Sequence, residues 1–299
     1  MASTAGQLEQ ANDSLVRDGS SDPYRTYRWY GRGRLGPNDR RPEERRRVTR
    51  YRPPKFDIVS YARNAEDVVL LRTFAERRGG FYVDVGAGEP DCGSLTKNLV
   101  DRLGWQGVNI EPLPDRFARL VSARPRDVNL CVAVGTRPGP ALFHRILEGL
   151  GLEGAAGLST LDPGIAEMHR RTGWGCEEFE VEVVTLTSVL EAHATPGFDL
   201  LKIDVEGSEA AVLASADLRR WRPRVMVVEA TVPTTAIPSH AEWEPQLLAA
   251  GYTLALFDGL NRFYAHDDEP ELLERLSVPA NVLDRWIPAA WAEMLGHDV

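Results

Sequence analysis

The feature that most constrains the fold of this chain is a regular alternation of short apolar segments with amphipathic ones. Four segments have the length and apolar character of buried strands, namely "FYVDVG", "GVNIEP", "FDLLKIDVEG" and "RVMVVEAT". Between them lie segments that predict helices, such as "SLTKNLVDRLG", which carries Leu95, Leu99 and Leu103 on one face. This alternation predicts an α/β fold, in which helices cover both faces of a doubly wound, mostly parallel sheet.

The remaining segments give weaker signals. "YTLALFDGLNRFYAHD" predicts a C-terminal antiparallel hairpin, because two apolar runs flank the turn signal Asp258-Gly259. "VNLCVAVG" predicts a single third strand. The glycine-rich residues 138–180 predict irregular structure, and the alternating "FEVEVVTL" predicts a strand of an inserted or edge element. The last segment, "EPELLERLSVPANVLDRWIPAAWAEMLG", predicts a tail of short helices packed outside the sheet.

Composition bounds the domain organisation and the partners. Residues 1–55 carry a net charge of +6 and few aliphatic side chains, so we expect a basic, flexible extension before one domain over 56–299. The whole chain carries −9, which argues against nucleic acid as the main partner. No apolar run reaches the roughly 20 residues of a membrane span. The three cysteines form no CxxC pair and no signal peptide opens the chain, so we expect a cytoplasmic protein; whether it forms a homo-oligomer stays open.

The segment "FYVDVGAGEPDCGSLTKNL" predicts a strand, a glycine turn and a helix, an arrangement on which nucleotide-type cofactors bind. Gly86 and Gly88 lack a Cβ and therefore let the backbone pass close to a ligand. Asp84 precedes them, where it can hold the turn or the cofactor. Glu111 ends the next strand, and a carboxylate at that place can accept hydrogen bonds from both hydroxyls of a ribose.

This pairing fits both NAD and S-adenosylmethionine. The dinucleotide fingerprint requires a third glycine three positions after the second, whereas Gly93 lies five positions after Gly88. The loop also carries Glu89 and Asp91, which would repel a pyrophosphate but suit a cofactor with an ammonium and a sulfonium. The turn therefore favours S-adenosylmethionine as the cofactor.

Two further residues are expected on the cofactor side. Ser94 follows the loop, where it would cap the next helix or contact the carboxylate of the donor. Ala133 lies where the third strand ends, and the fold places its backbone near the adenine.

Taken together, these motifs resemble the FkbM family of S-adenosylmethionine-dependent methyltransferases. The resemblance covers about residues 60–265, and it rests on "YARNAEDVVLLRTF", "FYVDVGAGEPDCGSLTKNL", "GVNIEPLPDRF", "VNLCVAVG", "VMVVEAT" and, most specifically, "DLLKIDVEGSEAAVL". It implies a class I methyltransferase fold, which is Rossmann-like, and O-methylation of a sugar, a glycan, or a glycosylated or hydroxylated natural product. Where the family usually has Q-x-G-E-D, this chain has "RNAED" at residues 63–67.

Methyl transfer to a hydroxyl needs a base or a metal, because an aliphatic hydroxyl hardly ionises near neutral pH. Asp204 and Glu206 end the fourth strand and are predicted catalytic residues, although Glu206 also suits the start of a helix. Asp204 and Glu229, at adjacent strand ends, offer the hard oxygen ligands of Mg²⁺, and the sequence leaves the metal open. His240, after the fifth strand, is a candidate general base.

Two alternatives stay open from the sequence alone. One is an NAD-linked oxidoreductase on a similar sheet, against which the glycine spacing counts. The other is a non-catalytic domain that keeps the cofactor pocket, against which the acids at the strand ends count.

Overall fold

The computed structural model describes residues 56–75, 77–147 and 155–296. The predicted basic extension, residues 1–55, lies outside the described residues.

The strands of the described residues fall into three sheets. In chain order they are β1 (Ile58–Ser60), β2 (Phe81–Val85), β3 (Gln106–Ile110), β4 (Val128–Leu130), β5 (Ala133–Val134), β6 (Gly139–Leu147), β7 (Gly175–Val184), β8 (Leu200–Ile203), β9 (Val225–Glu229), β10 (Tyr252–Phe257), β11 (Asn261–His266) and β12 (Trp286–Pro288).

The α-helices of the described residues are short, and most of them connect consecutive strands. They are α1 (Glu66–Thr73), α2 (Lys97–Leu103), α3 (Pro114–Ala123), α4 (Pro163–Arg171), α5 (Leu186–His193), α6 (Glu209–Ala214), α7 (Leu218–Trp221), α8 (Glu244–Ala249), α9 (Pro270–Leu276) and α10 (Ala289–Met294). None of the described helices combines the length and the apolar character that crossing a bilayer requires.

The central sheet has seven strands in the order β10-β11-β9-β8-β2-β3-β4. The five strands from β9 to β4 run parallel, and β11 runs antiparallel to both of its neighbours. The chain moves outward from β2 through β3 to β4 and later returns to β8 on the other side of β2. That reversal between β2 and β8 creates a crevice at the carboxyl ends of the strands, where ligands of such folds bind.

Apolar residues of the central strands are buried on both faces of this sheet. Val83 and Leu201 pack on the face covered by α5 to α8, whereas Tyr82 and Leu200 pack on the face covered by α1, α2 and α9. Each fully buried side chain of this kind contributes about 1.5–3 kcal/mol. Burial on both sides explains why the strands are apolar runs without alternation, and it confirms the predicted α/β class with a mostly parallel sheet.

The prediction of one third strand over "VNLCVAVG" is wrong. The segment breaks at Cys131 and Val132, so that β4 stays beside β3 and β5 joins a separate three-stranded sheet. The break occurs because Ala133 packs against Leu113 and Phe143 in a second apolar cluster instead of extending the central sheet.

Residues 138–180, for which the sequence predicted irregular structure, contain the longest described strands. β6 and β7 pair antiparallel from Gly139 and Val183 to Leu147 and Gly175, and β5 adds in parallel to β7. The strand predicted over "FEVEVVTL" is the end of β7, within this inserted sheet but in its middle and not at its edge. The strands were not predicted because glycines and the glutamates of β7 are uncommon in strands, which usually contain β-branched and aromatic residues.

Two further expectations are corrected at the ends of elements. Ser94 does not cap α2, which begins at Lys97; the buried Ser94 hydroxyl lies 3.5 Å from a guanidinium nitrogen of Arg124. The C-terminal tail contains α9 and α10 as expected, but between them β12 pairs in parallel with β1. This pairing joins residues 228 positions apart, such as Ile58 and Trp286, and only long-range contacts define it.

The burial of Glu66 at the start of α1 should make the folding stability depend on pH. Its two carboxylate oxygens accept hydrogen bonds from the Asn64 N–H at 2.7 Å and the Asn261 amide at 2.8 Å, and burial raises the pKa of Glu66 to about 7. A pKa above that of the unfolded chain stabilises the fold at low pH, and this contribution is lost as the pH rises through 7.

Glu66→Gln should therefore gain stability relative to the native chain between pH 4.5 and pH 8, by up to about 3 kcal/mol. The Asn261 amide can turn to keep its contact with the new side chain. Urea unfolding at both pH values measures the change. Equal differences between variant and native chain at the two pH values would contradict the prediction.

Candidate functional site

A cleft opens at the carboxyl ends of the central strands, between β2 and the two strands beside it. Its volume is about 850 Å³, including the part that is open to solvent. The ends of β2, β3 and β8 form its floor, and the inserted sheet supplies a wall. Residues that the sequence singled out make up much of the lining, namely Gly86, Gly88, Glu111, Ala133, Asp204 and Glu206.

The glycine turn after β2 lies directly against the end of β8. Gly86 has a φ of 78°, and a Cβ at this residue would lie 1.8 Å from the carbonyl oxygen of Asp204. No side chain fits such a space, so this position requires glycine. The Gly86 N–H donates to the carbonyl of Ile110 at 3.0 Å, which ties the turn to the end of β3 as well. Gly88 has a φ of 64°, in the left-handed region that glycine favours.

Glu111 is buried at the end of β3, and the backbone fixes its carboxylate. One oxygen accepts the N–H of Gly88 at 2.9 Å, and the other accepts the N–H of Leu113 at 2.9 Å. Burial raises the pKa of Glu111, and the two backbone hydrogen bonds and the charge of Arg116 oppose that rise. Each oxygen keeps a second lone pair, so the carboxylate can accept two further hydrogen bonds from a ligand in the cleft.

Asp84 lies beneath the turn and outside the cleft lining, where it pairs with Lys202 of the neighbouring strand. The two residues face each other in the register of β2 and β8, and Lys202 Nζ lies 3.1 Å from Asp84 Oδ1. Nζ also donates to the carbonyl of Gly86 and lies 3.7 Å from Asp204 Oδ2. Burial alone would lower the pKa of Lys202, but the carboxylates of Asp84 and Asp204 outweigh it and raise the pKa. Lys202 therefore holds the turn and the end of β8 together as a cation.

Three carboxylates meet at the end of the cleft. Asp204 follows β8, Glu206 lies in the next turn, and Glu229 ends β9. One oxygen of each lies within 4.8 Å of the corresponding oxygens of the other two. The structure thus brings together all three acids that the sequence predicted at these strand ends. Their exposure differs: about a third of the Asp204 side chain is exposed, whereas Glu206 and Glu229 are buried.

Local backbone geometry directs Glu206 into this acid cluster of Asp204, Glu206 and Glu229. Glu206 has a φ of 55°, which is unusual for a residue other than glycine, and its carbonyl accepts the hydroxyl of Thr160 at 2.8 Å. The next turn is held by Glu209, whose carboxylate accepts the N–H groups of Val205 and Gly207 at 3.1 and 3.0 Å. Glu209, and not Glu206, is thus the acid at the start of α6.

Burial also changes the acidity of these groups. It raises the pKa of Glu206 and of Glu229 well above the ordinary value, and the neighbouring charge of Asp204 raises both further. Burial raises the pKa of Glu209 to about 7. Carboxylates that are close together and poorly hydrated ionise reluctantly unless a positive charge joins them.

The other predicted site residues divide between the cleft and its surroundings. Ala133 lines the cleft, whereas Ser94 is not part of the lining that the described residues form. His240 also lies outside that lining, in a short 3-10 turn after β9. Its Nε2 lies 3.8 Å from a carboxylate oxygen of Glu244, and its ring is half-buried. A contact of Ser94 or His240 with a ligand therefore stays a prediction.

Sequence reasoning missed several residues of the cleft. Arg63, Arg116 and Phe143 line it, and Lys202 lies on its floor. A signal existed for Lys202, since a lone charge inside a buried apolar strand calls for a partner. Arg63 comes from the segment before α1, where "RNAED" departs from the family pattern. Phe143 belongs to β6, which had no sequence signal.

Comparisons with known proteins agree with this geometry. The profile of the family described as "Methyltransferase FkbM domain" matches residues 84–254, which include the turn, Glu111 and the acid cluster. The 31-O-demethyl-FK506 methyltransferase FkbM of Streptomyces tacrolimicus is 38% identical over 98 residues, which are 33% of this chain and 36% of that relative. The alignment thus spans only about a third of the relative's length.

A solved structure is also similar, a TehB-like SAM-dependent methyltransferase from Corynebacterium glutamicum ATCC 13032 Kitasato. The match covers 67% of this chain and 87% of that chain, with a TM-score of 0.35 and 10% identity. A likeness at this level carries no argument about the present chain.

The contact between the glycine turn and β8 can be tested by comparing two glycines of positive φ. Gly86→Ala should destabilise the fold by about 3 kcal/mol or more, since strain and a clash with backbone add together. Gly79→Ala is the matched control, because Gly79 has a φ of 63° but nothing within 4 Å of an added Cβ. The control should cost about 1–2 kcal/mol from backbone strain alone. Urea unfolding of both variants measures the difference, and equal losses would contradict the close contact.

Proposed function

The chain belongs to the FkbM family of methyltransferases, and from that premise we propose that it transfers a methyl group from S-adenosylmethionine to a hydroxyl of a sugar, a glycan or a hydroxylated natural product. The observation that carries the proposal is a single cleft with two different parts. One part has the glycine turn and the fixed carboxylate of Glu111, and the other, directly beside the turn, has Asp204 and Glu206 of the acid cluster.

The part of the cleft formed by the glycine turn and Glu111 has the shape and polarity that the methyl donor requires. An added Cβ at Gly88 would have only a guanidinium nitrogen of Arg116 within 4 Å, at 3.9 Å, so a ligand can lie directly against the turn at this residue. Glu111 has free lone pairs for the two hydroxyls of a ribose, and Ala133 lines the same cleft, where its backbone suits an adenine. The carboxylates of Glu89, Glu111, Asp204 and Glu206 share the lining with the cations Arg63, Arg116 and Lys202, so the cleft offers partners to both the ammonium and the carboxylate of the donor.

When bound, S-adenosylmethionine supplies a methyl group on a sulfonium that leaves readily, so the chain has to align the reactants and accept the proton of the hydroxyl. We assign Asp204 as the base that accepts this proton, because it lines the cleft and is the most exposed member of the acid cluster. Lys202 lies 3.7 Å from it and keeps the carboxylate in place. Removal of the proton makes the acceptor oxygen the nucleophile that takes the methyl group.

The alternatives from the sequence have less support. Family membership argues against an NAD-linked oxidoreductase, in agreement with the glycine spacing. A non-catalytic domain that only binds the donor would keep the turn and Glu111 but would have no use for Asp204. Measurements of donor binding and of turnover therefore distinguish it from the enzyme.

Donor binding should depend on Glu111. Isothermal titration of the native chain with S-adenosylhomocysteine should show one site, and Glu111→Ala should weaken it by about 10- to 150-fold, the worth of one or two hydrogen bonds to a charged group. Glu269→Ala is the control. Glu269 pairs with Arg224 just before β9, at the amino ends of the parallel strands and thus away from the cleft. It should bind like the native chain. Unchanged affinity of Glu111→Ala would refute the ribose assignment.

Turnover should depend on Asp204 more than donor binding does. Transfer of a radiolabelled methyl group would be measured against a panel of methyl glycosides and 31-O-demethyl-FK506, the acceptor in the relative's name. Asp204→Asn should lower the rate by about 100-fold or more and leave S-adenosylhomocysteine affinity within about threefold. Full turnover in this variant would place the proton acceptor elsewhere, with His240 as the next candidate to replace.

A further inference from the structure

We propose that Asp204, Glu206 and Glu229 together bind one divalent metal cation at the end of the cleft. The three side chains come from three separate positions, the end of β8, the turn after it and the end of β9. Their nearest oxygens all lie within 4.8 Å of one another. Oxygens on opposite sides of an ion are separated by about twice the metal–oxygen distance, roughly 4.2 Å for Mg²⁺ and up to about 5.2 Å for Ca²⁺. The 4.8 Å limit lies within the span for Ca²⁺, and a smaller ion such as Mg²⁺ would draw the three side chains closer together.

A second observation points to a missing ligand. The Oε2 atoms of Glu206 and Glu229 are buried and have no hydrogen-bond partner, although both side chains are more than nine-tenths buried. Buried carboxylate oxygens are normally hydrogen-bonded. Both oxygens of the neighbouring Glu66 accept hydrogen bonds from an N–H group and an Asn amide, and one oxygen of Glu209 accepts two backbone N–H groups. Within the acid cluster, by contrast, two of the three side chains each keep a buried oxygen without a partner.

The protein's own cations do not neutralise this cluster. Lys202 Nζ lies 3.7 Å from Asp204, but it is closer to Asp84 and also donates to the carbonyl of Gly86. Arg63, which also lines the cleft, lowers the pKa of Glu206 through its charge, whereas the nearby carboxylate of Glu209 raises it. Acids therefore outnumber cations around the cluster, and a bound divalent ion would restore the balance.

The donor set also limits which ion fits. All three ligands are carboxylate oxygens, which suit the hard cations Mg²⁺, Mn²⁺ and Ca²⁺ rather than the softer ions that prefer His or Cys. Asp204 and Glu206 line the cleft, so the remaining coordination positions are open on that side. If the proposed function holds, an oxygen of the acceptor would occupy one of them, the ion would lower the pKa of that hydroxyl, and the second carboxylate oxygen of Asp204 would accept its proton.

Cation binding can be measured without donor or acceptor. Titration of the full chain with Mn²⁺, followed by loss of the free-ion signal in electron paramagnetic resonance, should show one ion per chain with a Kd of about 10⁻⁵ to 10⁻³ M. Mg²⁺ or Ca²⁺ should displace it. Asp204→Asn and Glu229→Gln should each weaken binding by about tenfold or more, and the double variant should show none. Glu269 lies at the amino ends of the parallel strands, away from the cleft, so the Glu269→Gln chain should bind Mn²⁺ like the native chain.

Two results would overturn the proposal. One is no Mn²⁺ binding by the native chain, which would mean that protons neutralise the acids. The other is unchanged binding in the Asp204→Asn chain. Asp204 is partly exposed, so its amide variant keeps the test valid even where a change at buried Glu229 prevents folding.

The cation site and the proposed function can fail separately. Parallel titration with S-adenosylhomocysteine reports the donor site, and Mn²⁺ reports the acid cluster. Binding of Mn²⁺ without S-adenosylhomocysteine would support the cation site and refute the donor site. Binding of S-adenosylhomocysteine without Mn²⁺ would do the reverse.

Discussion

The contact between the glycine turn and the end of β8 is the constraint on which the rest of the site depends. Backbone of Asp204 occupies the place where a Cβ of Gly86 would be. Lys202 strengthens the contact, because its ammonium group joins Asp84, the carbonyl of Gly86 and the side of Asp204. The turn that favours the donor and the acids that would serve the acceptor are therefore parts of one rigid junction.

Buried carboxyl groups collect beside this junction, in and around the acid cluster. Burial raises the pKa of Glu209 to about 7, and it raises those of Glu206 and Glu229 as well. Buried acids that ionise at neutral pH reduce stability. Clusters of such perturbed groups in a cleft are more typical of functional sites than of structural ones. The stability that the strand cores provide allows the chain to keep them.

The inserted sheet shows where sequence reasoning failed. Its strands β6 and β7 form a wall of the cleft and supply Phe143, yet their segment predicted irregular structure. One face of β7 carries glutamates and is exposed, while Val181 and Val183 pack inward on Leu113 and Phe143. A strand of this kind is stabilised by its partner rather than by its own composition. The same reason explains why the pairing of β1 with β12 was not predicted.

The sequence by itself determined the fold class, the glycine turn, Glu111, and the three acids at the strand ends. These are local signals, since strand length, a Gly-x-Gly turn and a carboxylate after an apolar run need no distant partner. Only the tertiary structure decided that Ser94 and His240 lie outside the cleft lining of the described residues, and that Lys202 and Arg63 belong to it. It also decided that oxygens of Asp204, Glu206 and Glu229 lie within 4.8 Å of one another, because strand order and register set that distance.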